Sequence, residues 1–232
     1  MDIAAIIPAL NHEHTLSQVI GDLPHPLVSR VIVVDAGSQD GTLKAAHSAG
    51  ARVVEAKGAS FGQACLAGLA EVGREGAVAL LPGGYQYHPE ELQRLVHRIE
   101  DGTVDAAAGS RALGECDPGS WGWGQRLRVR ANCLLIRMLF GARFTDLSSF
   151  CAFRRDLVET LKLSTCEPDF VLALRLRIVL GGSRIEEIPV RYRRVPRHPR
   201  GLASFRGAAG ASFSSMKTDL QTILKYCRAS GL

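Results

Sequence analysis

The stretch Val31-Ile-Val-Val-Asp-Ala-Gly-Ser-Gln-Asp-Gly-Thr42 decides how this chain is read. Its first four residues are all β-branched, the kind of short apolar run that is buried on both faces of a parallel sheet. The run delivers Asp35 to a turn, where Gly37 and Ser38 supply conformational freedom and local hydrogen bonds. Asp40 is then placed to cap a helix over Thr42–Ser48, which Gly50 ends. Strand, acid-bearing turn and helix together make one half of an α/β unit.

The same alternation extends in both directions. Apolar runs predict further strands at 3–8, 52–55, 77–81 and 104–109, with 30–35 as the strand already described. Leu16, Val19, Ile20 and Leu23 recur at helical spacing, as do Leu92, Leu95, Val96 and Ile99 after Pro89 and before Gly102. A helix at 62–72 turns Cys65, Leu69 and Val72 inward. These elements predict a single α/β domain with an open, mainly parallel sheet flanked by helices. Ligands of such sheets bind beyond the carboxyl ends of the strands. Asp35, residues 82–86 and Arg111 all follow strands and should converge there. The first strand runs into Ala9-Leu-Asn-His12 and not a G-x-G-x-x-G turn, which excludes an ordinary dinucleotide site.

Beyond residue 111 the pattern loosens. Residues 114–124, rich in Gly, Trp and Pro, read as a loop. A helix at 125–140 is expected to bury Leu127, Ala131, Leu134, Leu135 and Met138, with Gly141 as its stop. Further predicted elements are a helix at 169–180, an extended segment at 184–193 and a loop at 194–206. A C-terminal amphipathic helix follows, with Phe213, Met216, Leu220 and Ile223 on its apolar face.

Composition narrows the function classes. The chain has 232 residues, 46% hydrophobic and 22% charged, as a globular protein should. Six cysteines, at 65, 116, 133, 151, 166 and 227, form no CxxC, and most read as reduced core residues. No run of eighteen apolar residues occurs, and Met1-Asp2-Ile3 leads into a strand without a signal-peptide layout, so a cytoplasmic protein is expected. The net charge of +5 is gathered into arginine clusters at 126–137 and 184–206. Such stripes attract phosphates or anionic membrane surfaces. They lack the interleaved aromatics of a single-strand binder, and no nucleic-acid partner is expected. The sequence does not specify an oligomeric state.

Ile6-Ile-Pro-Ala-Leu-Asn-His-Glu13 followed by the 31–42 segment resembles the nucleotide-binding half of family 2 glycosyltransferases. The likeness is strongest to the dolichyl-phosphate-mannose-synthase-like branch, which reads P-A-x-N-E-E, then V-D-D-G-S-x-D-G-T, then D-A-D. It continues through Gly109-Ser-Arg111, Phe140-Gly141, Thr145-Asp146, Ala152-Phe-Arg-Arg155 and Ile188-Pro-Val-Arg-Tyr-Arg193. It implies a GT-A-like fold with a nucleotide-binding half at 3–111 and an acceptor-side half at 112–232. It also implies transfer from a UDP- or GDP-sugar to a lipid phosphate or another small acceptor. Asp35 would accept a hydrogen bond from the base, with Pro8, Ala9 and Asn11 shaping its pocket; capping of its own turn is the other reading of that aspartate. Asp146 and Arg111 would serve the transfer itself. Arg111, Arg126, Arg128 and Arg130 would meet phosphate, and Ser149 would lie on the acceptor side.

The departures from the pattern are specific. Ala36 replaces the second aspartate, His12 the first glutamate and Ala173 a helix glutamate. Aligning Pro89-Glu90-Glu91-Leu92 with the family's P-E-D-L sets Pro82, Gly83 and Gly84 where D-A-D should stand. Hard cations need oxygen ligands, so no divalent metal is expected at the usual site, although Gln86 matches a family glutamine near the ion. Gly83 and Gly84 let the backbone approach a phosphate closely, and arginines can neutralise it. The sequence therefore predicts a metal-independent or weakly active transferase. Its alternative is a catalytically degenerate relative that binds a nucleotide or a protein partner. The apolar face of the C-terminal helix is expected to pack on the domain; peripheral docking of that helix on an anionic membrane, aided by residues 191–206, is the alternative.

Overall fold

The structure, a computed structural model, describes residues 1–161, 169–194 and 213–230, with side chains in the last stretch described for 218–228. Seven strands form one sheet in the order β3-β2-β1-β4-β6-β5-β7. They are β1 (Ile3–Ala9), β2 (Val28–Asp35), β3 (Arg52–Glu55), β4 (Ala77–Leu80), β5 (Ala106–Ser110), β6 (Cys151–Arg154) and β7 (Ile185–Pro189). The five strands read from the sequence share this sheet. Two features exceed that reading. β7 joins β5 in parallel, and β6 runs antiparallel between β4 and β5. β6 has only four residues and ends in an arginine, so its sequence signal is weak. Both added strands come from beyond residue 111 and close the sheet on that side.

The central strand β1 is buried along its whole length, which is why its sequence shows no apolar–polar alternation. Ile3, Ala5 and Ile7 join one core with Leu16, Val19 and Ile20 of α1 (Leu16–Gly21), Ala46 of α2 (Thr42–Ser48) and α4 (Leu92–Glu100). Ala4 and Ile6 face the opposite core, with α3 (Phe61–Ala70), α6 (Asp156–Thr160) and Phe170, Leu174 and Ile178 of α7 (Phe170–Leu180). Gly68 permits the close approach of α3: a Cβ there would lie 2.4 Å from Ile6 Cγ2. A capping box starts α3 at Ser60, whose Oγ accepts from Gln63 N while Gln63 Oε1 accepts from Ser60 N. Asp40 accepts from Thr42 N, but Gly41 is the N-cap of α2.

A third cluster packs α7 against α5 (Trp123–Phe140) and α8 (Phe213–Ser230) through Ile136, Leu172, Leu176, Ile223 and Tyr226. Here the expected helix faces need correction. α5 buries Val129, Asn132, Cys133 and Ile136, while Leu127, Leu134 and Met138 are exposed. The inward face was hidden because it includes polar Asn132, whose Nδ2 donates to the buried Asp219 of α8. Arg128 Nη1 donates to the same carboxylate at 2.8 Å. On α8, Ile223 is buried with Asp219, Thr222, Tyr226 and Cys227, whereas Leu220 is exposed. The side chains of Phe213 and Met216, and the stretch 195–212, lie outside the described residues. Gly141 ends α5 in the left-handed conformation, φ 69°, as expected.

Candidate active site

The parallel strands deliver their following residues to one edge. Asp35 ends β2, Gly83 and Gly84 follow β4, and Arg111 follows β5. Two non-glycine residues adopt positive φ at this edge, Asn11 (56°) after β1 and Tyr85 (59°) after β4. Such backbone persists only where its surroundings fix it, and it concentrates at functional sites. Asn11 is held by Ser38 Oγ, which accepts from its N at 2.9 Å, and by Gln39 N, which donates to its Oδ1 at 2.9 Å. These bonds lock the β1 loop to the β2 turn.

Asp35 is 2% exposed. Its Oδ2 accepts from Gly37 N and Ser38 N, and its Oδ1 accepts from Ser38 Oγ. The turn-capping reading of Asp35 therefore holds in this structure. A carboxylate offers about four acceptor positions, so the cap leaves room for one further donor. Pro8 and Ala9 are buried in β1; Ala9 O accepts from Ala36 N at 3.0 Å and Pro8 O from Gly83 N at 3.4 Å. The second of these ties the end of β1 to the Pro82-Gly83-Gly84 turn.

That turn carries no acid. Among the described residues no group of three His, Cys, Asp or Glu could hold a metal ion. Thr15 Oγ1 donates to Gly83 O at 2.7 Å, and the His12 and Gln86 side chains also stand at the turn. A Cβ on Gly83 would lie 2.8 Å from His12 Nδ1, and one on Gly84 would lie 2.5 Å from Gln86 Oε1. His12 Nδ1 is buried without a hydrogen-bond partner. Burial holds the imidazole below its ordinary pKa, outweighing the opposing pull of Asp40 and Asp35, so the ring is neutral near pH 7. One imidazole and one amide do not fit a hard divalent cation.

On the other side of the edge, Arg111 and Asp146 form a buried bidentate pair. Nε donates to Oδ2 at 2.8 Å, Nη2 donates to Oδ1 at 2.7 Å, and Arg111 N also donates to Oδ2. Burial disfavours the Asp146 carboxylate, but the hydrogen bonds and charge of Arg111 more than offset it and hold its pKa below the usual range. The Arg111 guanidinium lies over Trp121 and Tyr192, 4.7 and 5.2 Å from the ring centroids. Glu187 of β7 accepts from Thr145 N and Asp146 N, and Arg175 stands 3.5 Å from it. Arg111 and Asp146 are thus brought together, chiefly with each other.

The remaining arginines separate. Arg126 lies over Trp121 at 5.1 Å, and its Nε donates to Trp121 O. Arg128 is drawn to Asp219, away from Trp121, and Arg130 is exposed on the outer side of α5. Ser149 is half-buried; its neighbour Ser148 is the one that is fully buried, donating to Gly109 O. Sequence reasoning missed Trp121, Tyr87, Tyr192 and Arg193. Arg193 N donates to Gln86 O at 2.8 Å, and its guanidinium sits 3.9 Å from the Tyr85 ring centroid. Tyr87 packs against Phe150 and Tyr192. Trp121 Nε1 and Arg193 Nε are buried without partners, as is His12 Nδ1. Buried polar atoms are ordinarily satisfied, and three unpartnered nitrogens stand on the loops that follow the strands at this edge. The Y-x-Y of 85–87 and the R-Y-R of 191–193 were the available signals.

An open sheet with an acid-bearing turn after its second strand and an arginine–aromatic cluster after its fifth defines a ligand-binding α/β domain. Residues 4–162 match the model of glycosyl transferase family 2, and the chain belongs to that family. It is 30% identical over 207 residues to the low-salt glycan biosynthesis hexosyltransferase Agl6 of Haloferax volcanii. That match covers 85% of this chain and 48% of the relative, so the chain spans about half the length of Agl6. The dolichyl-phosphate hexose transferase of the same organism is 28% identical over 232 residues, covering 97% of this chain and 96% of the relative. Among solved structures, glucosyl-3-phosphoglycerate synthase of Mycobacterium tuberculosis with uridine diphosphate superposes with a TM-score of 0.75 at 23% identity. The match covers 98% of this chain and 80% of that one. The complex of that protein with Mn²⁺, UDP-glucose and phosphoglyceric acid gives 0.72 at 22% identity, with the same coverage. These superpositions establish the GT-A fold.

Proposed function

We propose that this chain transfers a sugar from a UDP- or GDP-sugar to a lipid phosphate or another small phosphate-bearing acceptor, without a divalent metal at the usual site. The observation that carries this reading is the convergence of Asp35, the Gly83-Gly84 turn and the Arg111–Trp121–Arg126 cluster on one sheet edge of a family 2 chain. Relatives support the substrate classes: one is named for dolichyl phosphate, and another was solved with UDP-glucose and phosphoglyceric acid.

In this reading the free acceptor position of Asp35 takes a donor from the base, and Asn11, Pro8 and Ala9 wall the pocket. Gly83 and Gly84 let the diphosphate approach the backbone, and His12 Nδ1 faces it. Arg126 and Arg193, whose guanidinium groups are not consumed by a carboxylate in bidentate fashion, neutralise phosphate. Arg111 and Asp146 position Trp121 and Tyr192. An acceptor phosphate oxygen attacks the anomeric carbon, and the carbon–oxygen bond to the diphosphate breaks. The electron pair leaves with the nucleoside diphosphate, and the configuration inverts. The acceptor is already ionised, so no strong general base is needed. The chain acts in the cytoplasm, at a membrane surface when its acceptor is a lipid.

A second reading, a relative that binds nucleotide without turnover, is favoured by the absence of any carboxylate at 82–84. A Lewis acid supplies several kcal/mol, and about 4 kcal/mol corresponds to roughly a thousandfold in rate. A panel of UDP- and GDP-sugars with polyprenyl phosphate and phosphoglycerate, in EDTA and in Mn²⁺, separates the two. Sugar-phosphate product in EDTA supports transfer; nucleotide binding with no product under any condition supports the second reading.

A further inference from the structure

α5 has two faces of opposite character. Val129, Asn132, Cys133 and Ile136 are buried. Trp123 is 81% exposed, Met138 67%, Leu127 59% and Leu134 56%, and Ala131 between them is exposed too. At about 100° per residue these outer positions fall within an arc of roughly 80°. The spacing is that of a continuous apolar stripe along a helix of 18 residues. Arg126, Arg130 and Arg137 occupy the adjoining arc and are exposed, and Arg143 is exposed just past the end of the helix. Among the described residues Arg130, Arg137 and Arg143 make no ion pair. α5 contains no Asp or Glu.

We propose that this outer face of α5 is a docking surface for an anionic lipid bilayer. A Trp- and Leu-bearing stripe beside a row of arginines is the arrangement that lies in the headgroup plane, apolar side chains inserted and cations at the phosphates. No described helix is long and apolar enough to cross a membrane, so the contact is interfacial. Charge selects the lipid surface over a second copy of the chain. A twofold contact sets one patch against its own image, so it would bring arginine rows together with no acid on α5 to receive them. The position of the helix gives the contact a purpose. Trp121, two residues before α5, lies against both Arg111 and Arg126, so docking sets the candidate site at headgroup level. The inference stands on this surface and not on the transfer reaction, and vesicle binding is read without turnover.

The test is co-sedimentation of the full chain with phosphatidylcholine vesicles and with phosphatidylserine-rich vesicles, at low and high salt. The wild type should pellet with the anionic vesicles and be released by salt. Each arginine near such a surface contributes about fivefold, so Arg130→Gln/Arg137→Gln should partition about 25-fold more weakly. Leu134→Asp should abolish binding with its thermal unfolding unchanged, because the side chain is exposed. Trp123→Phe should remove a vesicle-induced blue shift of tryptophan emission. Equal recovery with both vesicle types, or binding indifferent to Leu134→Asp, would overturn the proposal. So would a dimer seen by light scattering that Leu134→Asp dissolves, which assigns the stripe to a second copy.

Discussion

Arg111 and Asp146 hold each other by two parallel hydrogen bonds of 2.8 and 2.7 Å, the guanidinium 9% exposed and the carboxylate fully buried. Paired in this way, the two residues best marked by the family resemblance fix a loop and two aromatic rings. Removing one partner leaves the other as an uncompensated buried charge, which costs about 3–5 kcal/mol. Asp146→Ala should lower unfolding free energy by that amount in urea titrations. Arg111→Lys should not be tolerated, since an ammonium cannot supply the planar fork. Arg111→Met/Asp146→Leu should be less destabilising than Asp146→Ala alone.

Arg126 and Arg193 should behave differently. Both stack on aromatic rings, over Trp121 and Tyr85 respectively. Hydrogen bonds to charged groups contribute about 1.5–3 kcal/mol. Alanine at either position should weaken binding of the phosphate-bearing ligand it meets on the order of tenfold to a hundredfold. Thermal unfolding should shift little. Isothermal titration with nucleoside diphosphate and with phosphoglycerate would show which arginine serves donor and which serves acceptor.

The Pro82-Gly83-Gly84 turn admits a third prediction. A methyl group at 83 would meet His12 Nδ1 at 2.8 Å, and overpacking of this kind costs about 1–3 kcal/mol. Gly83→Ala should weaken nucleotide binding and lower the unfolding midpoint. His12→Ala in that background should restore stability by relieving the contact.

Stability should also depend on pH through Asp169, the N-cap of α7, whose Oδ1 accepts from Leu172 N. Burial, reinforced by neighbouring Asp219, pushes its carboxyl up to about 7. The folded state keeps this proton while the unfolded chain has lost it from the ordinary aspartate range upward. Stability therefore falls as pH rises between that range and about 7, and the loss is complete above it. Asp169→Asn retains an amide oxygen for the cap and cannot ionise. It should match the wild type near pH 4 and exceed it at pH 8 by a few kcal/mol, measured as paired thermal melts.

Much of this architecture was legible because parallel strands buried on both faces are nearly uniform apolar runs, as 3–8 and 31–35 are. The expectation that Asp35, Gly83 and Arg111 lie along one sheet edge came from each of them following a predicted strand of a parallel sheet. The misread helix faces have one physical cause. α5 and α8 are joined in part by a polar group of Arg128, Asn132 and Asp219, and α5 carries apolar residues on both its faces, Val129, Cys133 and Ile136 inside and Leu127, Leu134 and Met138 outside. Periodicity identifies a face but does not say whether solvent, protein or lipid covers it. The aromatic half of the site was hidden for another reason. Trp121, Tyr87 and Tyr192 come from three separate loops, and only the antiparallel insertion of β6 and the return of β7 bring them together.

The central claim is that this edge binds a nucleotide diphosphate without a divalent ion. Calorimetric titration of UDP and GDP into the full chain in EDTA, repeated in Mn²⁺ and with Asp35→Ala, tests it most directly. The account predicts saturable one-to-one binding of one of the two nucleotides in EDTA, affinity within about threefold when Mn²⁺ is added, since no carboxylate ligand is present to gain from it, and loss of binding in Asp35→Ala. Binding that appears only with Mn²⁺, or no binding of either nucleotide under both conditions, would contradict it.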